Sequence, residues 1–220
     1  MLTTSGEFEL GVRTYLTRLN DSFNNEVIEN INLLAQGLRE AWCNGKNVYI
    51  CGNGGSAGNA IHLANDLHYG IGACGNGEKC KGIKVEALPA NGAILTCLAN
   101  DIGYENVFSH QLETKADEGD LLIVLSGSGN SKNIISALHT GKRLGMQTYA
   151  ILGYKGGQSK EIADVSIHFS VNDMQIAEDT QIIVGHMCMQ WLSMHKPTFQ
   201  RPKINARTRL HERLAQKYAA

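Results

Sequence analysis

Two short stretches of this chain gather small, hydroxyl-bearing residues around glycine: Gly52-Asn53-Gly54-Gly55-Ser56 and Ser126-Gly127-Ser128-Gly129-Asn130-Ser131. Phosphate binding needs several hydrogen-bond donors converging on one point. Glycine lets backbone amides approach closely, and serine hydroxyls donate without adding charge. The N-terminus of a following helix adds unpaired N–H groups and the positive end of its dipole. The second stretch meets all of these conditions through Ser126, Ser128, Asn130 and Ser131. A plain strand-to-helix turn needs only one capping serine. The first stretch also fits the outline of a dinucleotide fingerprint, Gly52-x-Gly54-x-x-Ala57. That fingerprint calls for an acidic residue about 20 positions further on, at the end of the second strand. Here the next apolar run ends on Leu88-Pro89 with Glu86 inside it, so the match is weak. No GxxxxGKS or GxxxxGKT motif occurs, which argues against a P-loop nucleotide enzyme.

Acid–base or metal chemistry has four candidates. His62 and Asp66 are spaced i, i+4, so on a helix they share one face. They could ligate a metal or work as an acid–base pair; an ordinary surface His–Asp contact has the same spacing. Glu178 and His186 lie a little over two helical turns apart and project in similar directions. His186 sits among Ile182, Ile183, Met187 and Met189, an environment that also suits a buried structural histidine.

The elements that must position these residues follow from hydrophobic periodicity. Residues 7–44 read as helical, with Val12, Tyr15, Leu16, Leu19 and Phe23 on one face and Ile31, Leu34, Leu38 and Trp42 on another. Asn20-Asp21 is the expected break between two helices, and Gly45 the expected stop. Short apolar runs then alternate with helical stretches. Strands are expected at 47–51, 83–88, 120–125, 147–152 and 165–169, and helices at 56–68, 92–99, 105–117, 130–144 and 174–194. This alternation predicts an α/β fold with a parallel sheet covered on both faces, and right-handed crossovers leave few topologies. Ligands in such sheets bind beyond the carboxyl ends of the strands, where both glycine-rich stretches fall.

Bulk properties narrow the class. The 220 residues fit one domain, 43% are hydrophobic, and the formal charge is -1, which argues against a dedicated nucleic-acid binder. No apolar run approaches ~20 residues, so no membrane span is expected. The N-terminus does not read as a signal peptide, and the expected location is the cytoplasm. The six cysteines read as reduced thiols, although Cys74 and Cys80 flank a glycine-rich loop and could bridge locally or form half a metal site. Residues 1–195 are expected to form one domain with N-terminal helices. Residues 196–220 form a basic tail, with seven Lys or Arg against the single acid Glu212, and the expected state of that tail is a solvated surface helix.

Four stretches together resemble the phosphoheptose isomerases of the sugar isomerase (SIS) domain superfamily: CGNGGSAGNAIHLANDL at 51–67, LANDIGYENVFSHQLE at 98–113, LLIVLSGSGNSKNII at 121–135 and AEDTQIIVGHMCMQWL at 177–192. The resemblance covers about residues 7–195. It implies a three-layer α-β-α sandwich around a five-stranded parallel sheet, flavodoxin-like, with an N-terminal helical extension. It implies a homotetramer with active sites shared between subunits, and isomerisation of sedoheptulose 7-phosphate to D-glycero-D-manno-heptose 7-phosphate, often with zinc, one ion per subunit.

Carried over position by position, the resemblance makes Ser126, Gly127, Ser128 and Ser131 the phosphate loop and Asn53, Gly54, Gly55 and Ser56 the first substrate loop. Asn100 and Asp101 are expected to contact the sugar. His62, Asp66, Glu178 and His186 would hold the metal, with Asp66 and Glu178 also touching substrate and Asp66 and His186 catalytic. Three positions depart from the family pattern: Asp66 replaces a glutamate, Glu178 a glutamine, and Gly127 the second residue of STSGNS. Aldose–ketose isomerisation through an enediol needs a base near the carbon proton and an acid near the carbonyl oxygen. The expected pair is Asp66 and His186. The alternative is a non-catalytic SIS protein that binds a phosphosugar or associates with a replication initiator. A further alternative is action on a different phosphosugar, with segment 70–82 altering specificity.

Overall fold

A computed structural model of the chain describes residues 4–75 and 77–198. Most of the predicted basic tail therefore lies outside the described residues. Five parallel strands form one sheet: β1 (Asn47–Gly52), β2 (Lys84–Ala87), β3 (Leu121–Ser126), β4 (Gln147–Leu152) and β5 (Val165–His168). Their order is β2-β1-β3-β4-β5, with register pairs such as Ile50–Ile123 and Ile123–Tyr149.

β3 is buried along its whole length, as expected of a continuous apolar strand covered on both faces. Its side chains alternate between two cores. Leu121, Ile123 and Leu125 join Leu34, Leu38, Leu63 and Val184 on one face. Leu122 and Val124 join Phe108, Leu112, Ile134 and Leu138 on the other. The first face is covered by α2 (Asn25–Asn44), α3 (Gly55–Asn65) and α9 (Met174–Met194). The second is covered by α6 (Ser109–Lys115) and α7 (Lys132–Arg143).

The N-terminal helix α1 (Thr4–Asp21) has no buried residue. It is tethered by the Tyr15 hydroxyl, which donates to Asp179 at 2.6 Å, and by Arg18 paired with Asp173 at 2.9 Å. Of its predicted apolar face, Val12 and Leu16 are exposed, whereas Phe23, just past the helix, packs edge-on against Phe169 at 4.9 Å. The break before α2 falls at residues 22–24 rather than at Asn20-Asp21, because Asn24 supplies the cap: its side chain accepts from Val27 N–H. Gly45 ends α2 in the left-handed region at φ 65°, where a side chain is disfavoured.

Other boundaries moved for local reasons. The helix expected over 56–68 is α3 followed by a five-residue π-turn, Asp66–Gly70, and a short helix α4 (Ile71–Ala73). α5 runs over Gly92–Asp101. The helix expected over 105–117 is a 3-10 turn at Tyr104–Asn106 and then α6. A helix not expected from the sequence, α8 (Gly157–Ile162), lies between β4 and β5. The described residues of segment 70–82 fold back on the chain. Cys80 N–H donates to Gly72 at 3.2 Å, Ile83 N–H to Leu67 at 2.9 Å, and the Trp42 indole N–H to Lys81 at 2.9 Å. All six cysteines are free thiols, Cys74 and Cys80 among them.

Candidate active site

α3 and α9 run in the same direction across one face of the sheet. Their contact is close because glycines sit where side chains would collide. A Cβ at Gly185 would lie 2.0 Å from a Leu63 methyl, and one at Gly55 would lie 2.3 Å from a Glu178 carboxylate oxygen. Between these points Asn59 Nδ2 donates to the Glu178 carbonyl at 3.0 Å and to Gln181 Oε1 at 2.9 Å. Gln181 Nε2 in turn donates to Ser56 Oγ at 3.0 Å. Ser56, predicted to face substrate, is thus buried with its hydroxyl turned to α9.

This packing brings His62, Asp66 and His186 together. The two Nε2 atoms are 2.9 Å apart, and Asp66 Oδ2 lies 3.5 Å from His62 Nε2 and 3.4 Å from that of His186. One ligand atom from each falls within 4.8 Å of the others, so the group could hold a metal ion. A tetrahedral ion with ligands near 2.05 Å needs ligand–ligand spacings of ~3.3 Å, close to those seen. The two imidazoles are about half exposed, at 50% and 46% of the side chain, so the cluster opens to the surface. Glu178 is not part of this group among the described residues. It lies eight residues earlier on α9, about 12 Å along the axis, with its carboxylate against Gly55.

The serine loop after β3 is shaped by its own hydroxyls. Ser126 Oγ accepts from Gly129 N–H at 3.0 Å, and Ser128 Oγ from Asn130 N–H at 3.3 Å. Used as acceptors, both hydroxyls keep their own protons to donate. Ser131 is the residue before α7, yet its side chain makes no capping bond. Gly129, at φ 65°, must be glycine: a Cβ there would meet the Gly156 carbonyl oxygen. The loop also touches the start of α9, since a Cβ on Gly127 would lie 2.8 Å from Met174 Sδ.

Asn53 in the first loop bonds to Asn133 and Tyr104, and Gly54 turns the chain at φ 55°. Asn100 and Asp101 stand apart: Asn100 Nδ2 donates to Asp101 at 2.7 Å, both are exposed, and neither bonds to another predicted site residue among the described residues. The Cys97 thiol is pushed up by its hydrogen bond to Asp101 and by that residue's charge, and burial pushes the Cys188 thiol up to about 12. Neither is an activated thiolate. Glu86, the acid inside the second strand, pairs with Lys115 at 2.5 Å.

The sequence profile of the SIS domain matches residues 13–153, well over half of the chain. The chain belongs to the SIS domain family. Similar curated proteins include the phosphoheptose isomerase of Akkermansia muciniphila, 40% identical over 143 residues covering 65% of this chain and 73% of that protein. That of Geotalea daltonii is 35% identical over 170 residues, 77% and 86% of the two chains. That of Chlorobaculum parvum is 35% identical over 192 residues, 84% and 90%. Among solved structures, the phosphoheptose isomerase of Francisella tularensis superposes with a TM-score of 0.77 at 22% identity, over 89% of this chain and all 100% of the other. That of Neisseria gonorrhoeae gives 0.74 at 24% identity, over 84% and 98%. These likenesses match the five-stranded parallel α/β fold described above.

Sequence reasoning passed over Asn59, Gln181, Asn133 and Tyr104, which hold the site elements together. Asn59 was accessible in principle: it lies three residues before His62, on the same helical face. Gln181 and Asn133 carried no local signal, because their partners are far away in the chain.

Proposed function

We propose that this SIS-family chain is a phosphoheptose isomerase, interconverting sedoheptulose 7-phosphate and D-glycero-D-manno-heptose 7-phosphate through an enediol. The observation that carries the reading is the convergence of His62, Asp66 and His186 from two helices, in a chain whose curated relatives are named phosphoheptose isomerase. A protein that only bound partners would not need this cluster.

Asp66 is the base that takes the proton from carbon, and His186 is the acid at the carbonyl oxygen, the roles exchanging in the reverse direction. In the metal-free chain His62 Nε2 and His186 Nε2 are 2.9 Å apart and share one proton between the two rings. Two imidazole nitrogens and a carboxylate form a donor set that suits zinc; with His186 Nε2 bound to it, one ion per subunit would polarise the carbonyl as a Lewis acid in place of a proton from that nitrogen. Ser126, Ser128 and Ser131, with the backbone of Gly127, bind the phosphate. Asn53, Gly54 and Gly55 line the sugar's path, Glu178 accepts from its hydroxyls, and Asn100 and Asp101 contribute at the rim. Binding at the remote phosphate orients the reacting carbons.

The chain acts as a cytoplasmic homotetramer, with residues 1–195 as a single SIS domain. α1, with no buried residue and with Phe8, Leu10, Val12 and Leu16 exposed, supports such an assembly. The openness of the histidine cluster supports a site completed by a neighbouring subunit. Among the described residues no helix is long and apolar enough to cross a membrane.

The test is Asp66→Ala with sedoheptulose 7-phosphate. Turnover should fall by at least ~100-fold, and undiminished turnover would overturn the assignment.

A further inference from the structure

The carboxamides of Asn53 and Asn133 face each other in a closed pair. Asn53 Nδ2 donates to Asn133 Oδ1 at 2.9 Å, and Asn133 Nδ2 donates to Asn53 Oδ1 at 2.8 Å. The Tyr104 hydroxyl donates to the same Asn53 oxygen at 2.8 Å. Asn133 is 2% exposed, so water does not replace this partner.

The location gives the pair its meaning. Asn53 directly follows β1, and Asn133 is in the first turn of α7, two residues after Ser131. β1 and β3 are neighbours in the sheet, but their loops lead to helices on opposite faces. That is the topological switch point, where open parallel sheets bind ligands. The amide pair therefore ties the glycine loop to the serine loop across the crevice between them. The donor inventory is also nearly complete. Both lone pairs of Asn53 Oδ1 are occupied, one of its N–H groups serves Asn133, and one N–H is left.

We propose that Asn133 and Tyr104 are positioning residues that act through Asn53, holding the two loops in register and leaving Asn53 as a one-proton donor to a substrate oxygen. The proposal rests on the reading of this crevice as the sugar-phosphate site. Without Asn133 the Asn53 amide is free to rotate, and the loop that turns at Gly54 loses its tie to the serine loop. Misplacing a substrate-orienting group by about 1 Å costs up to ~100-fold in rate.

The test is a set of double-mutant cycles on the full chain with sedoheptulose 7-phosphate, combining Asn133→Ala and Tyr104→Phe each with Asn53→Ala. Asn133→Ala should lower kcat/KM by roughly 30- to 100-fold, and Tyr104→Phe by roughly 10-fold. In the Asn53→Ala background neither should have a further effect beyond about 2-fold, because both act through Asn53. Losses that multiply in that background, or a silent Tyr104→Phe, would overturn the proposal. Tyr104 is 53% exposed and its variant loses only a hydroxyl, so this arm decides the matter if Asn133→Ala fails to fold. Absence of wild-type turnover would count against the isomerase reading alone. The same cycle read as inorganic phosphate affinity by calorimetry then decides the positioning claim, with coupled losses supporting it and independent losses overturning it.

Discussion

His62 Nε2 and His186 Nε2 lie 2.9 Å apart although 124 positions separate the residues in sequence. One turn of helix packing makes this possible: Gly185, beside His186, receives the Leu63 side chain, beside His62. Gly185→Ala would place a Cβ 2.0 Å from a Leu63 methyl. Overpacking of this kind costs about 1–3 kcal/mol, and it should push the two histidines apart. Thermal unfolding should show the loss of stability, and turnover should fall with it.

The His62–Asp66–His186 cluster and Glu178 should respond differently to a metal ion. Zinc titrated into the metal-free chain should bind once per subunit. His62→Ala and His186→Ala should each weaken it by at least ~100-fold. Glu178→Gln should change affinity by less than ~10-fold, because that carboxylate rests against Gly55 and not with the histidines. Calorimetry with competing chelators distinguishes these outcomes.

Ser131→Ala separates phosphate binding from folding. The Ser131 side chain makes no capping bond to α7, so the melting temperature should stay within about 1 °C of wild type. A lost hydrogen bond to a charged phosphate is worth about 1.5–3 kcal/mol, so KM should rise by roughly 10-fold or more. A large drop in melting temperature would show that the hydroxyl serves the fold instead.

Acid stability should report on the start of α9. Asp173 caps this helix, accepting from the Gln175 and Ile176 amides at 3.0 and 3.2 Å, with Arg18 paired to it at 2.9 Å. The Ile176 amide bond and the Arg18 charge hold its carboxyl below the ordinary 3.8. A carboxyl with a lower pKa in the folded state stabilises the protein above the unfolded value, and that contribution is lost as pH falls through the folded value. Asp173→Ala should cost about 1 kcal/mol near neutral pH, with the difference from wild type shrinking below pH 3.8 in urea unfolding curves.

Much of the frame was legible because it rests on local pattern. The run at 147–152 matches β4 residue for residue, and the predicted helix over 174–194 is α9. Buried parallel strands announce themselves as unbroken apolar runs. The π-turn at Asp66–Gly70 was not legible, since its one-residue departure from the helical period leaves no mark in the sequence, and the close approach of Gly70 to Met189 is made only in the folded chain. α8 escaped notice because six residues are too few to show a period. In the site, the His62–Asp66 half followed from i, i+4 spacing. The approach of His186 and the resting place of Glu178 are set by how α9 lies on α3, which no local spacing encodes. The Asn53–Asn133 pair was hidden for the same reason.

Isomerisation of a heptose phosphate by the His62–Asp66–His186 cluster can be tested directly. The most direct measurement is turnover of sedoheptulose 7-phosphate by the full chain, beside other ketose phosphates, with and without a chelator. Turnover of the heptulose phosphate that is lost on chelation and restored by zinc is the predicted result. No turnover of any ketose phosphate in the zinc-loaded chain would contradict it.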